Sequence, residues 1–461
     1  MSAIASSASR FARACSTAMS RRALVGSGLL LAATPAAAVI GGGAPAGPTV
    51  TVGTAAELVA AARAAGPGTT ILLLPGTYGH VNLSNIVKSG GGIVIRPATT
   101  TVPRFASLSL AFARGIAVAN VAVVGSLNPL VNLSGGSDLE VAGLTISGTP
   151  NANPWDDANT GMWIRLANRV CVTNCRFQDL RAAVYVQRSA GVIIADCTFH
   201  YLREGINACA SRQLLIRRNR FQLFLPNYAA GEHPDAIQFW MSGETEGMTD
   251  VVLAQNFLAF GDQRAVQGLF LATGYVPPEL QGRIFHEHME VRDNIYYGAS
   301  SHGITVSLGR NVLVWRNSIL ASPHADVNRH IIDPTGRISG GFQPQLIAFE
   351  PNGVRVERNI STFYNLPPAG VTHTRNVKLW DSQTRTGEPH SAIFGARPTA
   401  SIPTLSEFRV RPGSVAAALG AGATPPARAG AWATATNTVL AESRAYAATL
   451  GNFGQWFSRG F

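Results

Sequence analysis

Apolar and polar positions alternate in short runs along this chain, and the runs recur. Segments 170–177, 192–199, 214–221 and 312–319 each read apolar-x-apolar-x-x-(Asn/Cys)-x-apolar. The sixth position falls at Cys175, Cys197, Asn219, Asn256, Asn294, Asn317 and Asn359, and Val121 and Leu144 fill the same slot upstream. Steps of 22 or 23 residues separate Val121 from Leu144, Cys175 from Cys197, Cys197 from Asn219, and Asn294 from Asn317. The other steps, 31, 37, 38 and 42, are a basic period plus an insertion or an irregular coil. Alternation at period two predicts strands with every second side chain inward. One such unit cannot bury its own face, so units must stack into a solenoid. Stacked strands lie ~4.8 Å apart, so equivalent residues form columns, and an inward Asn can bond to the Asn above and below. A leucine-rich horseshoe would need L-x-x-L-x-L followed by helix, which is absent. The pattern predicts an all-β parallel β-helix solenoid.

Residues 54–65 read as a short amphipathic helix, with Thr54 as N-cap and Glu57 at the capping-box position. A helix there would cover the open end of the solenoid. Coils are expected from about Ile71 to about Ile393. The expected organisation is a targeting segment over 1–38, a Gly/Pro/Ala linker over 39–50, the β-helix over 51–400 and a C-terminal cap or flap over 401–461. A helix is expected within the last segment, near 439–450.

The capping helix, the segment Ile71 to Tyr78 (ILLLPGTY) and the following G-I-x-V and V-x-I-x-x-N coils resemble the right-handed parallel β-helix superfamily of pectate-lyase-like proteins. The first coil in particular is similar to that of chondroitinase-B-like and alginate lyases. The resemblance covers about residues 50–400. It implies a right-handed β-helix with an N-terminal capping helix, and it implies polysaccharide chemistry. Departures exist. The family's lysine base has no candidate, because Lys88 and Lys378 both lie outside the central coils. Polygalacturonase signatures are absent. His233-Pro234-Asp235 is similar, in reversed order, to the Asp-Pro-His motif of alginate C5-epimerases.

Composition adds an address and a charge. Ser20-Arg21-Arg22 followed by an apolar run to Ala33 and by Ala36-Ala37-Ala38 reads as a twin-arginine-type export signal. The run is about 11 residues, too short to span a bilayer. A periplasmic or secreted protein is expected, with no membrane anchor. The net charge is +11, from 37 basic and 26 acidic residues, and nearly all the cations are Arg. The Arg residues are scattered and no nucleic-acid motif is present, so an acidic polymer suits the charge better than nucleic acid. Beyond the signal, Cys171, Cys175, Cys197 and Cys209 remain. Cys175 and Cys197 occupy one slot in adjacent coils, within disulfide range, and stacked thiols are the favoured reading. A monomer is expected.

The ladder also serves as a ruler. Thirteen residues before each slot, Met162, Val184, Ile206 and Ile304 should point inward, joined by Ile237 and Leu269. One residue later an outward column collects Trp163, Tyr185, Asn207, Gln238, Phe270 and Thr305. Three residues later another holds Arg165, Gln187, Cys209, Trp240, Ala272 and Ser307. Two residues earlier come Ala182, Glu204, Asp235, Gln267 and His302, with Arg181, Arg203, His233 and Arg264 nearby. This outward face is the candidate site. Catalytic candidates are His233, Asp235, Arg203, Glu204 and His302. Substrate-binding candidates are Trp163, Arg165, Arg181, Tyr185, Gln238, Trp240, Arg264 and Gln267. Aromatic rings suit sugar faces, and Arg suits carboxylates. Insertions at 149–160, 225–233, 242–248 and 275–285 should wall the groove.

Bland readings stand beside these. Glu204 could form a surface ion pair with Arg203, and Asp235 could cap a turn. β-Elimination on a uronate polymer needs a group to neutralise the carboxylate, a base and an acid. Arg181, Arg203 or Arg264 could neutralise; His233 or His302 could be the base; Tyr185 or the other His could be the acid. Hydrolysis needs two carboxyl groups, which Glu204 and Asp235 supply. C5-epimerisation would reuse the lyase set, and a non-catalytic adhesin needs only the groove. The favoured reading is a polysaccharide lyase. No cofactor is required by that chemistry. Calcium is the optional ion, suggested by Asp156, Asp157, Asp179, Glu204 and Asp235 without a ligand motif to fix it.

Overall fold

A computed structural model describes residues 47–430, apart from 228–231, 242, 262–264, 273–277, 281, 323–330, 333–337, 340–343, 381–385, 396–397, 401 and 428. The expected export signal, most of the linker and the helix near 439–450 lie outside the described residues. Two long parallel sheets wind around one core. The first has 13 strands and runs from Thr49–Val52 to Val371–Thr374. The second has 19 strands and makes the other two faces, because the 12-residue strands Arg176–Gln187 and Thr198–Cys209 bend round the corner between them. Each coil thus carries up to three short strands, and the fold is a parallel β-helix.

The repeat register is the one the ladder predicts. Arg176 pairs with Thr198, Thr198 with Arg220, Arg220 with Phe257, Phe257 with Ile295, Ile295 with Ser318, and Ser318 with Ile360. The preceding residues therefore stack as one column. Inside it, each Asn side chain bonds twice along the axis. Asn294 Nδ2 donates to Asn317 Oδ1 at 3.0 Å and to the Leu253 carbonyl at 2.9 Å. Its Oδ1 accepts from the Asn256 backbone at 3.0 Å and from Asn256 Nδ2 at 2.9 Å. The column extends one coil past the sequence pattern, to Asn376, whose Oδ1 accepts from the Asn359 backbone at 2.8 Å. That step is 17 residues, too short for the repeat template.

One backbone feature of this turn has no sequence signature. The residue before each slot is left-handed: Asn120, Asn174, Asp196, Arg218, Gln255, Asp293, Arg316, Arg358 and Arg375 all have φ between 49° and 57°, and Gly143 has 69°. Asn, Asp and Gly take this conformation readily; Arg and Gln do so at some cost. The ladder bonds and the packing below them hold it in place. Where the slot is Cys, the thiols of Cys175 and Cys197 donate to the carbonyls of Thr173 and Ala195 at 3.3 Å. Cys171, Cys175, Cys197 and Cys209 are free thiols. Below the slot, Phe177, Phe199 and Phe221 stack with ring centroids 5.0 and 4.5 Å apart.

The helix Ala55–Ala64 closes the N-terminal end and buries Leu58 and Ala62. Thr54 Oγ1 accepts from the Glu57 backbone at 3.2 Å, while the Glu57 carboxylate reaches Gly53 rather than the cap residue. After Lys378 the chain lies along the flank rather than across the end. Phe408 is buried against Phe257 and Tyr297. Gly422, Ala423 and Gly430 then bond back to Arg358, Ser318 and Arg218 in turn, so this strap retraces the coils. It covers the face beside the ladder and leaves the face of Thr160–Arg165 to the insertions. Among the described residues no helix is long and apolar enough to cross a membrane.

Asn294→Ala would leave the Leu253 carbonyl and the Asn256 amide groups without their buried partners. A loss of about 3 kcal/mol is expected from orphaned groups of this kind, read as a lower urea midpoint by far-ultraviolet circular dichroism.

Candidate functional site

The candidate face is built by six parallel strands: Thr160–Arg165, Arg176–Gln187, Thr198–Cys209, Asp235–Phe239, Gln267–Leu271 and His302–Ser307. Met162, Val184, Ile206, Ile237, Leu269 and Ile304 pair in series and are buried. The next residues pair in the same way, from Trp163 through Tyr185, Asn207, Gln238 and Phe270 to Thr305. Five inter-strand steps give a face roughly 24 Å long.

Glu204 and Asp235 each lie two residues before a paired isoleucine, so they stack in adjacent coils. Between them the backbones approach closely: a Cβ on Gly205 would sit 2.1 Å from the Ala236 carbonyl oxygen. Asp235 is 2% exposed, and its Oδ1 has no hydrogen-bond partner. Burial, and then the charge of Glu204, pushes its carboxyl well above the usual range. Gln267, its partner in register, also has a buried, unpartnered Oε1. A proton on Asp235 would give both oxygens a role, since only the protonated acid can donate. Glu204 is raised too, chiefly by burial. Opposing that are a 2.9 Å hydrogen bond from Asn207 Nδ2 and the nearby charges of Arg181, Arg203 and His233. Two like charges this close resist ionising together.

The same neighbourhood includes Tyr185, whose hydroxyl holds its proton more tightly because of burial and the Glu204 charge. Arg181 and His233 are exposed. Arg203 does not pair with Glu204, as the bland reading had it. It pairs with Glu232, and its Nη1 reaches the Asp157 carbonyl at 3.4 Å. Burial leaves it less basic than usual. Glu232 in turn accepts from the Asn227 backbone at 2.6 Å, which fixes the residues leading to His233. The 149–159 insertion is tied across by the Trp155 indole, which donates to the Leu225 carbonyl at 2.7 Å.

A second group lies along the strands toward their ends. Arg165 sits over the Trp163 ring at 4.9 Å and donates to Gln187 Oε1 at 2.8 Å. Gln187 donates to Glu244 at 2.6 Å, and Arg188 to the same carboxylate at 2.8 Å. Outward-pointing does not mean open here. Asn207, Cys209 and Thr305 point out of the coil yet are buried, Cys209 beneath Glu244 and Asn207 beside Glu204. Trp240 follows the end of its strand, its backbone donating to Ala208. Gln238 is half-buried in the column between Asn207 and Phe270. His302 stands apart, two coils beyond Asp235. Its Nδ1 is 2.9 Å from Thr305 Oγ1, its ring meets Phe270 edge-on, and burial lowers its basicity. Arg264 lies outside the described residues.

Sequence reasoning missed Glu232 and Glu244. Glu232 adjoins His233 and had a positional signal; Glu244 sits in an insertion with none. The five acidic residues grouped as calcium candidates also divide. Asp156, Asp157 and Asp179 act on one another electrostatically, while Glu204 and Asp235 form their own pair. Among the described residues no three His, Cys, Asp or Glu side chains cluster so as to hold a metal ion. Two cavities of about 280 and 290 Å³ flank Arg212, Thr245 and Glu246 rather than the carboxyl pair.

One family model agrees with the architecture. The family described as "Right handed beta helix region" matches residues 108–223. A rhamnogalacturonan lyase is 11% identical, with a TM-score of 0.45, over 82% of this chain and 99% of its own. The PL6-family alginate lyase AlyGC is 13% identical, with a TM-score of 0.42, over 72% of this chain. This chain spans about half of AlyGC, 51% of its length. PfbA, a surface adhesin of Streptococcus pneumoniae, is 13% identical, with a TM-score of 0.43, over 70% of this chain and 89% of its own. No curated protein matches the chain. The protein is a right-handed parallel β-helix.

The buried acid has a stability signature. Asp235 holds its proton more tightly folded than unfolded, so it contributes stability below the unfolded value near ~4 and loses it as pH rises toward the folded value. Asp235→Asn is therefore expected to raise the thermal midpoint at pH 7–8, with a gain that shrinks toward pH 4. A lower midpoint at neutral pH would mean a well-paired carboxylate instead.

Proposed function

We propose that this face binds an anionic, uronate-containing polysaccharide and cleaves it by β-elimination. One observation carries the reading. Midway along the face an exposed guanidinium, Arg181, an exposed imidazole, His233, and the Tyr185 hydroxyl gather around Glu204. Exposed Arg181 would meet the uronate carboxylate, which raises the acidity of the C5 proton. His233 would take that proton as general base. The C5 electron pair moves into a C4–C5 double bond, the C4–O4 bond breaks, and the Tyr185 hydroxyl gives its proton to the departing oxygen. Arg203, fixed by Glu232, positions the His233 segment and adds positive potential. Trp163, Arg165, Gln238 and Trp240 would contact flanking sugars, and Gln267 and His302 the far end. An extracytoplasmic location, read from the N-terminal sequence, suits a polymeric substrate.

A hydrolase is the second reading, favoured by one observation. Stacking in adjacent coils puts the two carboxyls roughly 5 Å apart, the spacing of a retaining pair. Burial of Asp235 weighs against it, since a hydrolytic acid or nucleophile must reach the sugar.

Incubation with alginate, polygalacturonate, glucuronan and glycosaminoglycans is expected to generate the ultraviolet absorbance of an unsaturated uronate with at least one polymer. New reducing ends without that absorbance would establish hydrolysis; C5 proton exchange without cleavage, an epimerase; binding alone, an adhesin. His233→Ala is expected to lower kcat by ~10²–10⁴, the usual worth of a general base, with KM nearly unchanged. Arg181→Ala is expected to raise KM as well. Full activity in both variants would move the site elsewhere.

A further inference from the structure

The insertion beside the groove encloses four oxygen atoms that the fold leaves without partners. Ser147 Oγ, Asp157 Oδ2, Asn159 Oδ1 and Asp179 Oδ1 are each buried and make no hydrogen bond. The four residues are 1%, 5%, 2% and 1% exposed. Ser147 ends the strand Thr145–Ser147 and pairs in register with Gln178, next to Asp179. It points out of the coil, yet it is covered, because the 149–159 insertion folds over it. Gly148 links the parts. Its backbone donates to the Asp179 carbonyl at 3.0 Å, and a Cβ there would sit 2.4 Å from Asp157 Oδ1. The other oxygen of each acid is occupied by a neutral donor: Thr149 N–H to Asp157 Oδ1 at 2.9 Å, and Gln178 Nε2 to Asp179 Oδ2 at 3.2 Å. Neither acid has an ion pair among the described residues. Each is destabilised by burial and by the charges of neighbouring acids, offset in part by hydrogen bonds from Thr149 to Asp157 and from Ala152 and Gln178 to Asp179.

Orphaned buried oxygens cost roughly 1–3 kcal/mol each, and two buried carboxylates without a counter-charge among the described residues cost more. A cation removes both penalties at once. We propose that Asp157 and Asp179, with the side-chain oxygens of Asn159 and Ser147, form a calcium site that fastens the 149–159 insertion to the coil. The donor set is all oxygen, without nitrogen or sulfur, which selects a hard cation over zinc or copper. Two carboxylates plus neutral oxygens from an irregular insertion suit the flexible coordination of Ca²⁺ better than the strict octahedron of Mg²⁺. The low charge count puts affinity in the range of extracellular modules, about 10⁻⁴–10⁻³ M. This site is separate from Glu204 and Asp235. It acts on the groove through Trp155, tied to Leu225, and through the Asp157 carbonyl, tied to Arg203. The ion would brace one groove wall without touching the reaction.

The test uses the full chain, stripped with EGTA. Addition of 5 mM CaCl₂ is expected to raise the thermal midpoint, to change Trp155 fluorescence and to slow proteolysis within 149–159, while 5 mM MgCl₂ has little effect. The Asp157→Asn/Asp179→Asn double variant should lose at least tenfold in calcium affinity, and Glu204→Gln should keep it. Asp179→Asn alone serves if the double variant fails to fold. No calcium response in the native chain, or a response that survives in the Asp157/Asp179 variants, overturns the proposal. A native chain that responds only to pH, with no calcium effect, identifies a shared proton instead. None of these readouts depends on activity, so the site stands or falls apart from the lyase reading.

Discussion

A strand in this fold cannot satisfy its own backbone; only the coils above and below can. That constraint governs the rest. Parallel stacking at one spacing forces equivalent residues into columns, and the interior column at the turn must pair its polar groups along the axis. Asn does so twice per residue, once to the next side chain and once to a carbonyl, as Asn256, Asn294 and Asn317 show. The left-handed residue before each slot, which is Arg in several coils, is held by those bonds against its own preference. The ladder is scaffold, but a scaffold that repeats so strictly also dictates where every outward side chain falls.

The candidate site exploits that rigidity. Stacking makes Glu204 and Asp235 neighbours whether or not electrostatics favours it, and Gly205 lets the backbones close up. Burial raises both carboxyls, and the charge of Glu204 raises Asp235 further. Sites that tune acids usually separate two groups by environment; here Asp235 is sealed in, whereas Glu204 has an amide, two guanidiniums and an imidazole within electrostatic reach. Insertions supply what the coils cannot. Glu232 fixes Arg203, and the 149–159 segment leans on both Leu225 and Arg203.

The fold was legible because its signal is periodic. Counting back 13 residues from the ladder and stepping one on placed Trp163, Tyr185 and Asn207 in one column, allowance for an insertion added Gln238, and the strand pairing puts all four there. Burial was not legible. Cys209 and Thr305 point outward as expected yet are covered, since insertions have no period and their path depends on long-range contacts such as Trp155 to Leu225. Glu244 was missed for the same reason, acting across 57 residues of sequence, and Glu232, though next to His233, finds its partner Arg203 29 residues away. The proximity of Arg203 and Glu204 in sequence suggested an ion pair; their charges do act on each other, but the ion pair of Arg203 is with Glu232 instead. Asn376 escaped the template because its coil is short.

The central claim is that this face breaks a glycosidic bond by elimination, without water as a reactant. The direct measurement is cleavage of a uronate polymer in water enriched with heavy oxygen, followed by mass spectrometry of the oligosaccharides. The account predicts products that together lack one water relative to hydrolysis and carry no heavy oxygen from the cleavage step. Heavy oxygen incorporated at each cut, with no unsaturated sugar formed, would contradict it.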